Sequence, residues 1–338
     1  MKTFAKLSKL EKQSFLKKAS EISNKSETIL EKDFWVCWVL ERLFSISELK
    51  DHLTFKGGTS LSKVYGVIER FSEDIDISIE KEYLGFTGDK DPEKLGTKKR
   101  NEVLKELSEA CKTFVRTELS ESLRKKFSQN LLAPDDWKLE VDSDDPDEQT
   151  ILFYYPESTP TKSEYIRPSV KIEVGASSEH WPVSQKQVQS YLKQTLPGSL
   201  KERTIEIKVL NIERTFWEKA TILHMYAHFP SEKTVPIRQS RHYYDFFCLL
   251  KSPHKEASIK LIDLLERVAQ HKAIYFRAGW ANYDSARKGT LKLLPSENVL
   301  SEMADDYKKM SEMFFVDAPK WKQIIEEISA FEAEFNKI

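Results

Sequence analysis

The chain has 338 residues, of which 40% are hydrophobic and 11% aromatic, and this composition excludes a disordered protein. Charged residues make up 32%, but the formal net charge is only −1, so nucleic-acid binding would require a local basic patch. The length allows one large domain or two medium ones with a substantial core.

The cysteines and the N-terminus predict the cellular compartment of the protein. Cys37, Cys111 and Cys248 are far apart in sequence and lie in apolar helical segments. They predict buried thiols in a reducing environment, without a disulfide framework. The N-terminus lacks the apolar segment of a signal peptide, and no run of about eighteen apolar residues occurs. We therefore expect a cytoplasmic protein with no membrane partner.

Two helices are predicted at the start of the chain. Ser8 and Glu11 have the spacing of a capping box and predict a helix over roughly 9–22. A broad apolar stripe predicts a longer helix over 26–44. Its second turn carries Glu31-Lys32-Asp33, which we interpret as a solvated helix face.

Residues 53–79 predict a strand, a turn, a helix and a second strand. The first strand ends at Lys56 and is followed by Gly57-Gly58-Thr59-Ser60. The glycines let backbone N–H groups approach a phosphate, and the N-terminus of the following helix adds a favourable dipole. Thirteen residues separate Ser60 from Asp74, which is enough for one helix before the second strand.

Alternating carboxylates mark the second strand. Because alternate side chains share a face, we expect Asp74, Asp76 and Ser78 to point one way and the isoleucines between them into a core. Two carboxylates on a rigid face suit a hard divalent cation such as Mg²⁺ or Mn²⁺. Either motif alone would be an ordinary turn or strand. Together, in this order, they favour metal-assisted phosphoryl or nucleotidyl transfer.

The middle of the chain is expected to supply a long helix, a hairpin and a further strand. Many Lys and Glu residues over 98–128 predict a helix whose basic ends are either solvated or bind nucleic acid. Residues 137–155 predict two strands around an acidic turn, as a hairpin away from the core. Residues 169–174 alternate as a strand. If it lies beside the aspartates, Glu173 becomes a third carboxylate, a metal ligand or general base; otherwise it is an exposed polar residue.

The second half contributes a candidate cation. A strand over 205–210 precedes a helix that we expect to run from Asn211 to about His228. Lys219 lies near the flank of its apolar stripe, from where its ammonium group could hold a triphosphate. His224 and His228 are four residues apart, but no glutamate or third ligand accompanies them. We therefore interpret them as packing or surface histidines rather than a zinc site.

Asp245 lies among aromatic residues in a further helix that opens near Arg238. One interpretation is an ion pair with Arg241 on the helix surface. The alternative is that Asp245 faces the same cleft as the other candidate residues and positions Lys219 or a base. The remaining segment, 256–338, is predicted to be helical.

Several motifs occur together over nearly the whole chain. They are Glu31-Lys32-Asp33-Phe34, Gly57-Gly58-Thr59, Arg70-Phe71-Ser72-Glu73-Asp74-Ile75-Asp76, Thr215-Phe216-Trp217-Glu218-Lys219, Arg241-His242-Tyr243-Tyr244-Asp245 and Leu293-Leu294-Pro295. This combination resembles the AbiEii/AbiGii toxin family of the nucleotidyltransferase superfamily. The resemblance implies a bilobed α/β (α+β) protein. Its N-terminal lobe, 1–210, has a polymerase-β-like core with a mixed sheet, and its C-terminal lobe, 211–338, is mainly helical.

The resemblance also implies roles for individual residues. Asp74 and Asp76 match the metal-binding pair of the family, and Lys219 and Asp245 match its two later essential positions. With Glu173 these are the candidate catalytic residues. The candidate nucleotide-binding residues are Lys56, Gly57, Gly58, Thr59, Ser60, Arg70, Ser72 and Lys219.

Similar toxins, including the MenT-type members, transfer nucleotides from an NTP to the 3′ end of tRNA and so block aminoacylation. The resemblance therefore implies an NTP substrate, a tRNA or other RNA acceptor, and Mg²⁺ or Mn²⁺. It also implies an antitoxin partner of the AbiEi type or an unrelated one. Two alternatives remain at this point: a protein or small-molecule acceptor, and a non-catalytic nucleotide-binding protein that acts within a complex.

Overall fold

Each compact unit of the molecule is built from two segments of the chain. The computed structural model describes residues 3–72, 74–131, 134–159, 167–201, 204–315 and 317–337. The sheet unit comprises Met1–Val64 and Phe71–Val209, and the helical unit comprises Tyr65–Arg70 and Leu210–Ile338. The predicted lobes, 1–210 and 211–338, did not assign residues 65–70 to the helical part.

The strands of the sheet unit form one mixed sheet. They are β1 (Leu53–Lys56), β2 (Ile75–Ile79), β3 (Lys138–Val141), β4 (Thr150–Tyr154), β5 (Ser169–Gly175), β6 (Val183–Val188) and β7 (Ile205–Leu210). Over the described part of the chain the sheet has seven strands in the order β3-β4-β5-β2-β1-β7-β6. Strand β2 is antiparallel to β1 and parallel to β5, which gives β2 a central position.

The hairpin of β3 and β4 forms as predicted, but its expected location away from the core is wrong. Strand β4 pairs with β5 and extends the main sheet. Ile151 and Phe153 are fully buried. The Phe153 ring stacks on Trp38 with 5.7 Å between the ring centroids. The alternation of apolar residues in β4 therefore serves the core of the sheet unit, because one face of the strand is covered by helices.

The helices of the sheet unit agree in part with the predicted segments, since the helix expected between Ser60 and Asp74 spans Gly57–Lys63 instead and the helix at Tyr191–Thr195 was not predicted. They are α1 (Lys9–Ser23), α2 (Glu27–Leu43), α3 (Gly57–Lys63), α4 (Thr97–Phe114), α5 (Ser120–Ser128) and α6 (Tyr191–Thr195), with a π-helical segment at Val115–Leu119 and 3₁₀ turns at Phe4–Lys6, Gly88–Lys90, Pro92–Lys94 and Pro134–Asp136. The Ser8–Glu11 capping box is present. The predicted helix over 98–128 is α4 and α5, joined through the π-helical segment.

The interpretation of Glu31-Lys32-Asp33 as a solvated face of α2 is wrong, because all three side chains are buried at 2% exposure or less. Each has a polar partner distant in sequence. The Glu31 carboxylate accepts from the Ser158 N–H at 2.9 Å, and Lys32 Nζ donates to the Arg167 carbonyl at 2.9 Å. Asp33 pairs with Lys63. Buried charges are tolerated when they are paired in this way.

The helical unit packs around aromatic side chains. Its helices are α7 (Ile212–Ala227), α8 (Ser240–Lys251), α9 (Lys255–Lys260), α10 (Ile262–Tyr275), α11 (Glu297–Lys309) and α12 (Trp321–Phe335), with 3₁₀ turns at Tyr283–Ser285 and Ser311–Met313. Helix α7 packs on α8 and α10, and α8 packs on α12. Phe216, Phe246 and Phe331 form the centre of this core, with ring centroids 5.0–5.9 Å apart.

Residues 65–70 join the helical unit through backbone contacts. The Tyr65 hydroxyl donates to the Leu210 carbonyl at 2.9 Å, and the Phe315 N–H donates to the Glu69 carbonyl at 3.1 Å. Arg70 and Phe314 form an antiparallel bridge. A short segment from between β1 and β2 therefore completes the helical unit. The predicted mixed α/β fold class, with a helical C-terminal part, is confirmed.

The environments of two cysteines agree with the predicted buried thiols. Cys37 and Cys111 are buried, and the three cysteines form no disulfide within the described ranges. Burial raises the pKa of the Cys111 thiol to about 12, so this thiol is inert at neutral pH. No helix among the described residues is both long enough and apolar enough to cross a membrane.

Candidate active site

Strand β2 separates a core face from a charged face. Ile75, Ile77 and Ile79 are fully buried, as predicted. Asp76 points the other way, and in register it lies between Lys56 of β1 and Glu173 of β5. Because residues opposite each other in neighbouring strands share a face, these three charged side chains lie side by side. We call this surface the carboxylate face.

Gly57 lies directly against the Asp76 carboxylate. Its φ of +77° is a conformation that favours glycine, and a methyl group added to its Cα would overlap the carboxylate and come within 2.9 Å of the Asp76 Cβ. The absence of a side chain therefore allows the turn after β1 to approach the acidic strand closely. This contact links the two sequence motifs physically.

Helix α3 begins at Gly57, so the glycines are the first turn of the helix and not a loop before it. The Thr59 hydroxyl donates to the Asp74 carbonyl at 2.5 Å and lies 3.0 Å from the Ser72 hydroxyl. The Ser60 hydroxyl donates to the Gly57 carbonyl at 2.8 Å. These bonds fasten the first turn of α3 to the start of β2. Within the connecting motif, Glu73 lies outside the described residues.

Glu173 lies beside Asp76, but it also forms an ion pair with Lys171, with 2.6 Å between Nζ and Oε1. Burial acts to lower the pKa of Lys171, but its hydrogen bond to Glu173 and the charges of Glu173 and Asp74 raise it. A cation therefore lies among the acidic groups. The strand alternation had placed Lys171 on this face, but sequence reasoning gave it no role.

The acidic residues suit a divalent cation whose remaining coordination positions are filled by oxygen atoms of the substrate. Among the described residues, no three His, Cys, Asp or Glu side chains converge closely enough to hold a metal ion. Asp76 nevertheless lies on the central strand β2, and Asp74 immediately precedes that strand. Mg²⁺ is usually bound through one or two carboxylates, with water and phosphate oxygens filling the other positions. The pair therefore fits a cation that arrives with a nucleotide, and it does not fit a closed all-protein site.

His180 connects β1 and β2 through side-chain hydrogen bonds. Its Nδ1 lies 2.8 Å from Thr54 Oγ1 and its Nε2 lies 2.8 Å from Ser78 Oγ. Burial lowers the pKa of His180 to about 4, the Glu80 carboxylate opposes this effect, and Lys208 reinforces it. His180 is therefore uncharged at neutral pH and connects the two strands through hydrogen bonds. Its position depends on a pairing 102 residues apart, which the sequence did not reveal.

The other predicted site residues meet inside the helical unit. Asp245 is fully buried and accepts hydrogen bonds from Arg70 Nε at 2.8 Å, Arg70 Nη2 at 2.9 Å and Lys219 Nζ at 2.7 Å. The proposed surface pair between Arg241 and Asp245 is wrong. Asp245 instead faces inward, where two buried cations neutralise its charge.

The charges of this cluster are tightly coupled. Burial acts to raise the pKa of Asp245, but the Arg70 and Lys219 charges outweigh it and hold that pKa well below its usual value. Burial lowers the pKa of Lys219 despite the attraction of Asp245. Lys219 Nζ also lies 3.1 Å from His242 Nδ1, and burial and the Lys219 charge lower the pKa of His242. The neutral imidazole can therefore accept a hydrogen bond from the ammonium group.

Arg70 and the two α7 histidines have structural contacts. Arg70 is 2% exposed and both of its Asp245 contacts use the guanidinium, which leaves little of it to meet a nucleotide directly. His224 is buried, and its Nδ1 accepts from the Lys292 N–H at 3.0 Å. His228 Nδ1 lies 2.9 Å from the His224 carbonyl. Both histidines pack the unit, in agreement with the sequence.

The family model described as "Nucleotidyl transferase AbiEii toxin, Type IV TA system" matches residues 38–332. The chain belongs to this family. It is accordingly a nucleotidyltransferase of the AbiEii toxin type, as the motifs predicted, and this family implies a nucleotide substrate and an antitoxin partner. The motif Glu31-Lys32-Asp33 precedes the matched region.

Solved structures give two similar proteins. The chain is 15% identical to MenT4, a nucleotidyltransferase toxin from Mycobacterium tuberculosis H37Rv, over 97% of both chains, with a TM-score of 0.45. It is 17% identical to JHP933 from Helicobacter pylori over 91% of this chain and 98% of that one, with a TM-score of 0.32. A comparison with curated protein sequences gives no match.

Proposed function

We propose that this AbiEii toxin transfers a nucleoside monophosphate from an NTP to an RNA acceptor in the cytoplasm, most simply the 3′ end of tRNA, and thereby inhibits translation. The observation that carries the proposal is the contact between Gly57 and the Asp76 carboxylate. It brings a glycine turn suited to phosphate and an acidic strand suited to a cation into one place. Nucleotidyl transfer requires both.

Asp74 and Asp76 would hold Mg²⁺ or Mn²⁺, which when bound supplies neutralisation of the charge on the triphosphate. The backbone of the Gly57–Ser60 turn, which includes Gly58 and Thr59, binds the phosphates. Lys56 and Ser72 flank this turn, and Lys56 shares the carboxylate face with Asp76. Catalysis rests mainly on positioning and on charge neutralisation.

The reaction is a displacement at the α-phosphorus. The 3′-oxygen of the acceptor forms a bond to this phosphorus while the bond to the oxygen that bridges to the β-phosphate breaks, and pyrophosphate leaves. We assign Glu173 as the general base that takes the hydroxyl proton. Its support is its position next to Asp76 in register and its contact with Lys171, which holds its side chain.

For Lys219 we propose binding of a phosphate group by its ammonium. An ammonium has three donors, and Asp245 and His242 account for two of them. Asp245 and Arg70 are then positioning residues that fix the direction of Lys219. The support is the buried network of short contacts and the match of Lys219 and Asp245 to the family motifs.

The experiment is a labelling assay with total tRNA, MgCl₂ and each α-³²P NTP in turn. Wild-type protein should label tRNA with one NTP, and Asp76→Ala should not. Asp147→Ala removes an exposed carboxylate from the turn between β3 and β4 and is the matched control, which should label as the wild type does. Labelling by Asp76→Ala at the wild-type rate would overturn the metal assignment. Label on proteins alone would overturn the RNA acceptor.

A further inference from the structure

The C-terminal end of α3 is anchored by a buried ion pair that the proposed chemistry does not use. Lys63, the last residue of α3, has its Nζ 2.5 Å from Asp33 Oδ1, and both side chains are only 2% exposed. Asp33 belongs to α2. This contact therefore ties the helix that begins with the glycine turn to a helix in the core of the sheet unit.

A third element completes the anchor. The second carboxylate oxygen of Asp33 accepts from the backbone N–H of Tyr191, the first residue of α6, at 2.6 Å. Lys63 Nζ also lies 3.6 Å from the centroid of the Tyr191 ring, in a cation–π contact. We call these three residues the α3 anchor. The Asp33 carboxylate and the Tyr191 ring contact the Lys63 ammonium group from two sides and fix its position.

Stability alone does not account for a buried ion pair. Taking both charges out of water costs about as much as their attraction returns, and a well-packed apolar pair often stabilises a fold equally well or better. Burial acts against the charge of Lys63, but Asp33 outweighs it and raises the pKa of Lys63. Burial also raises the pKa of Asp33, and the Lys63 charge acts against this rise. The directional contacts of the pair specify one position for the end of α3.

The position of this end is transmitted to the glycine turn. Helix α3 has seven residues, so roughly 9 Å of rigid helix separates Lys63 from Gly57. At that other end, Gly57 lies against the Asp76 carboxylate and Thr59 donates to the Asp74 carbonyl. A rotation or shift of α3 at Lys63 would change the gap between the turn and the carboxylates.

We propose that Asp33 and Lys63 are positioning residues of the nucleotide site, because the α3 anchor fixes the Gly57–Ser60 turn at the spacing from Asp76 that a triphosphate and its cation require. The inference rests on the proposed function, in which this turn binds the phosphates. It assigns a role in substrate affinity to two residues that lie outside the reacting groups.

Glu31 provides a matched control within the same helix turn. It is as deeply buried as Asp33, but it accepts from the backbone N–H groups of Ser158 and Thr159 at 2.9 and 3.0 Å. These partners do not belong to α3. A loss of buried charge at Glu31 should therefore affect the stability of the fold without moving the glycine turn.

The test measures equilibrium binding of the α,β-methylene analogues of the four NTPs, in MgCl₂, by calorimetry. These analogues bind without transfer, so no acceptor is needed. Asp33→Asn and Lys63→Met should each bind the preferred analogue about tenfold more weakly or worse, a loss of at least about 1.4 kcal/mol of binding free energy, because each removes a contact that holds α3. Glu31→Gln should bind within about twofold of the wild type. Thermal unfolding of each variant checks that it is folded.

The double variant Asp33→Leu with Lys63→Met keeps the test decisive if a single variant does not fold. It replaces the buried ion pair by apolar groups, which generally preserves the fold, and it should still bind weakly. Wild-type affinity in this folded variant, or an equal loss of affinity in Glu31→Gln, would overturn the inference. If the wild type itself binds none of the analogues, the proposed function fails first, which is a distinguishable result.

Discussion

Lys219 and Asp245 form an ion pair inside the helical unit, with Nζ 2.7 Å from Oδ2 and the Asp245 side chain fully buried. Arg70 shares the same carboxylate through two further hydrogen bonds. One anion thus compensates two buried cations. Removal of Asp245 and removal of Lys219 should consequently have different effects.

Asp245→Ala should destabilise the protein by about 3–5 kcal/mol, because it removes the carboxylate that both buried cations, Arg70 and Lys219, contact. Lys219→Met should cost much less stability, since Arg70 still neutralises Asp245, but it should abolish transfer. Urea denaturation and the labelling assay measure the two effects. Inactivity of Asp245→Ala would therefore not identify a catalytic group, whereas inactivity of folded Lys219→Met would. An Asp245→Ala variant as stable as the wild type would contradict the ion-pair argument.

Gly57→Ala should lower transfer by about 100-fold or more, because the added methyl group displaces the Asp76 carboxylate. Gly85→Ala is the matched control. Gly85 also has a positive φ, of +87°, but an added Cβ would meet no atom within 4 Å. Both substitutions strain the backbone, but only Gly57→Ala disturbs the carboxylate face. Equal loss of transfer in the two variants would show that backbone strain alone is responsible.

Glu173→Gln should reduce kcat by about 10²–10⁴-fold, the usual contribution of a general base, without changing the Mg²⁺ concentration needed for half-maximal rate. Asp74→Asn should raise that concentration, because it removes a cation ligand. Metal titrations of the two variants separate the roles. Full activity of Glu173→Gln would leave Glu173 as an ordinary partner of Lys171. A raised Mg²⁺ requirement in Glu173→Gln would make it a metal ligand instead.

Stability should fall as the pH is lowered from about 6.5 to about 4. Burial lowers the pKa values of His180 and His224 to about 4, while an unfolded histidine titrates near 6.5. Between these values the unfolded chain binds more protons than the folded one, so the free energy of unfolding decreases with falling pH, by up to about 1.4 kcal/mol per pH unit for each histidine. Thermal unfolding across this range measures it.

His180→Gln keeps a donor and an acceptor between Thr54 and Ser78 but cannot titrate. Its stability should therefore depend less steeply on pH than that of the wild type, with the contribution of His224 remaining. The charged groups around His180 are Glu80, Lys208 and Lys56, and the glutamate acts against the two lysines. An unchanged slope in His180→Gln would show that His180 is not held neutral by its surroundings.

The local patterns of the sequence were sufficient for most of the elements and for the carboxylate face. Alternation predicted β2 and β5 with their inward and outward residues, and the conditional placement of Glu173 beside Asp76 is met by the parallel pairing of these strands. The capping box at Ser8 set the start of α1 correctly. These features depend on neighbouring residues, and for that reason periodicity and capping rules predict them.

The errors concern partners that are distant in the chain. Glu31-Lys32-Asp33 looks like a solvated face unless one knows that Ser158, Lys63 and Tyr191 approach it, and Asp33 is 158 residues from Tyr191. Arg70 is 175 residues from Asp245, so the sequence offered only the nearer Arg241 as its partner. Helical spacing predicts a pair between Arg241 and Asp245. In the folded protein Asp245 pairs with Arg70 and Lys219 instead.

Protein synthesis runs from the N-terminus, so Arg70 leaves the ribosome 175 residues ahead of Asp245. The segment 65–70 can make its contact with Asp245 only after α8 has been made, because Asp245 belongs to that helix. Completion of the helical unit is consequently a late event in the growing chain. A nascent chain that stops short of α8 lacks Asp245, the carboxylate that both Arg70 and Lys219 contact.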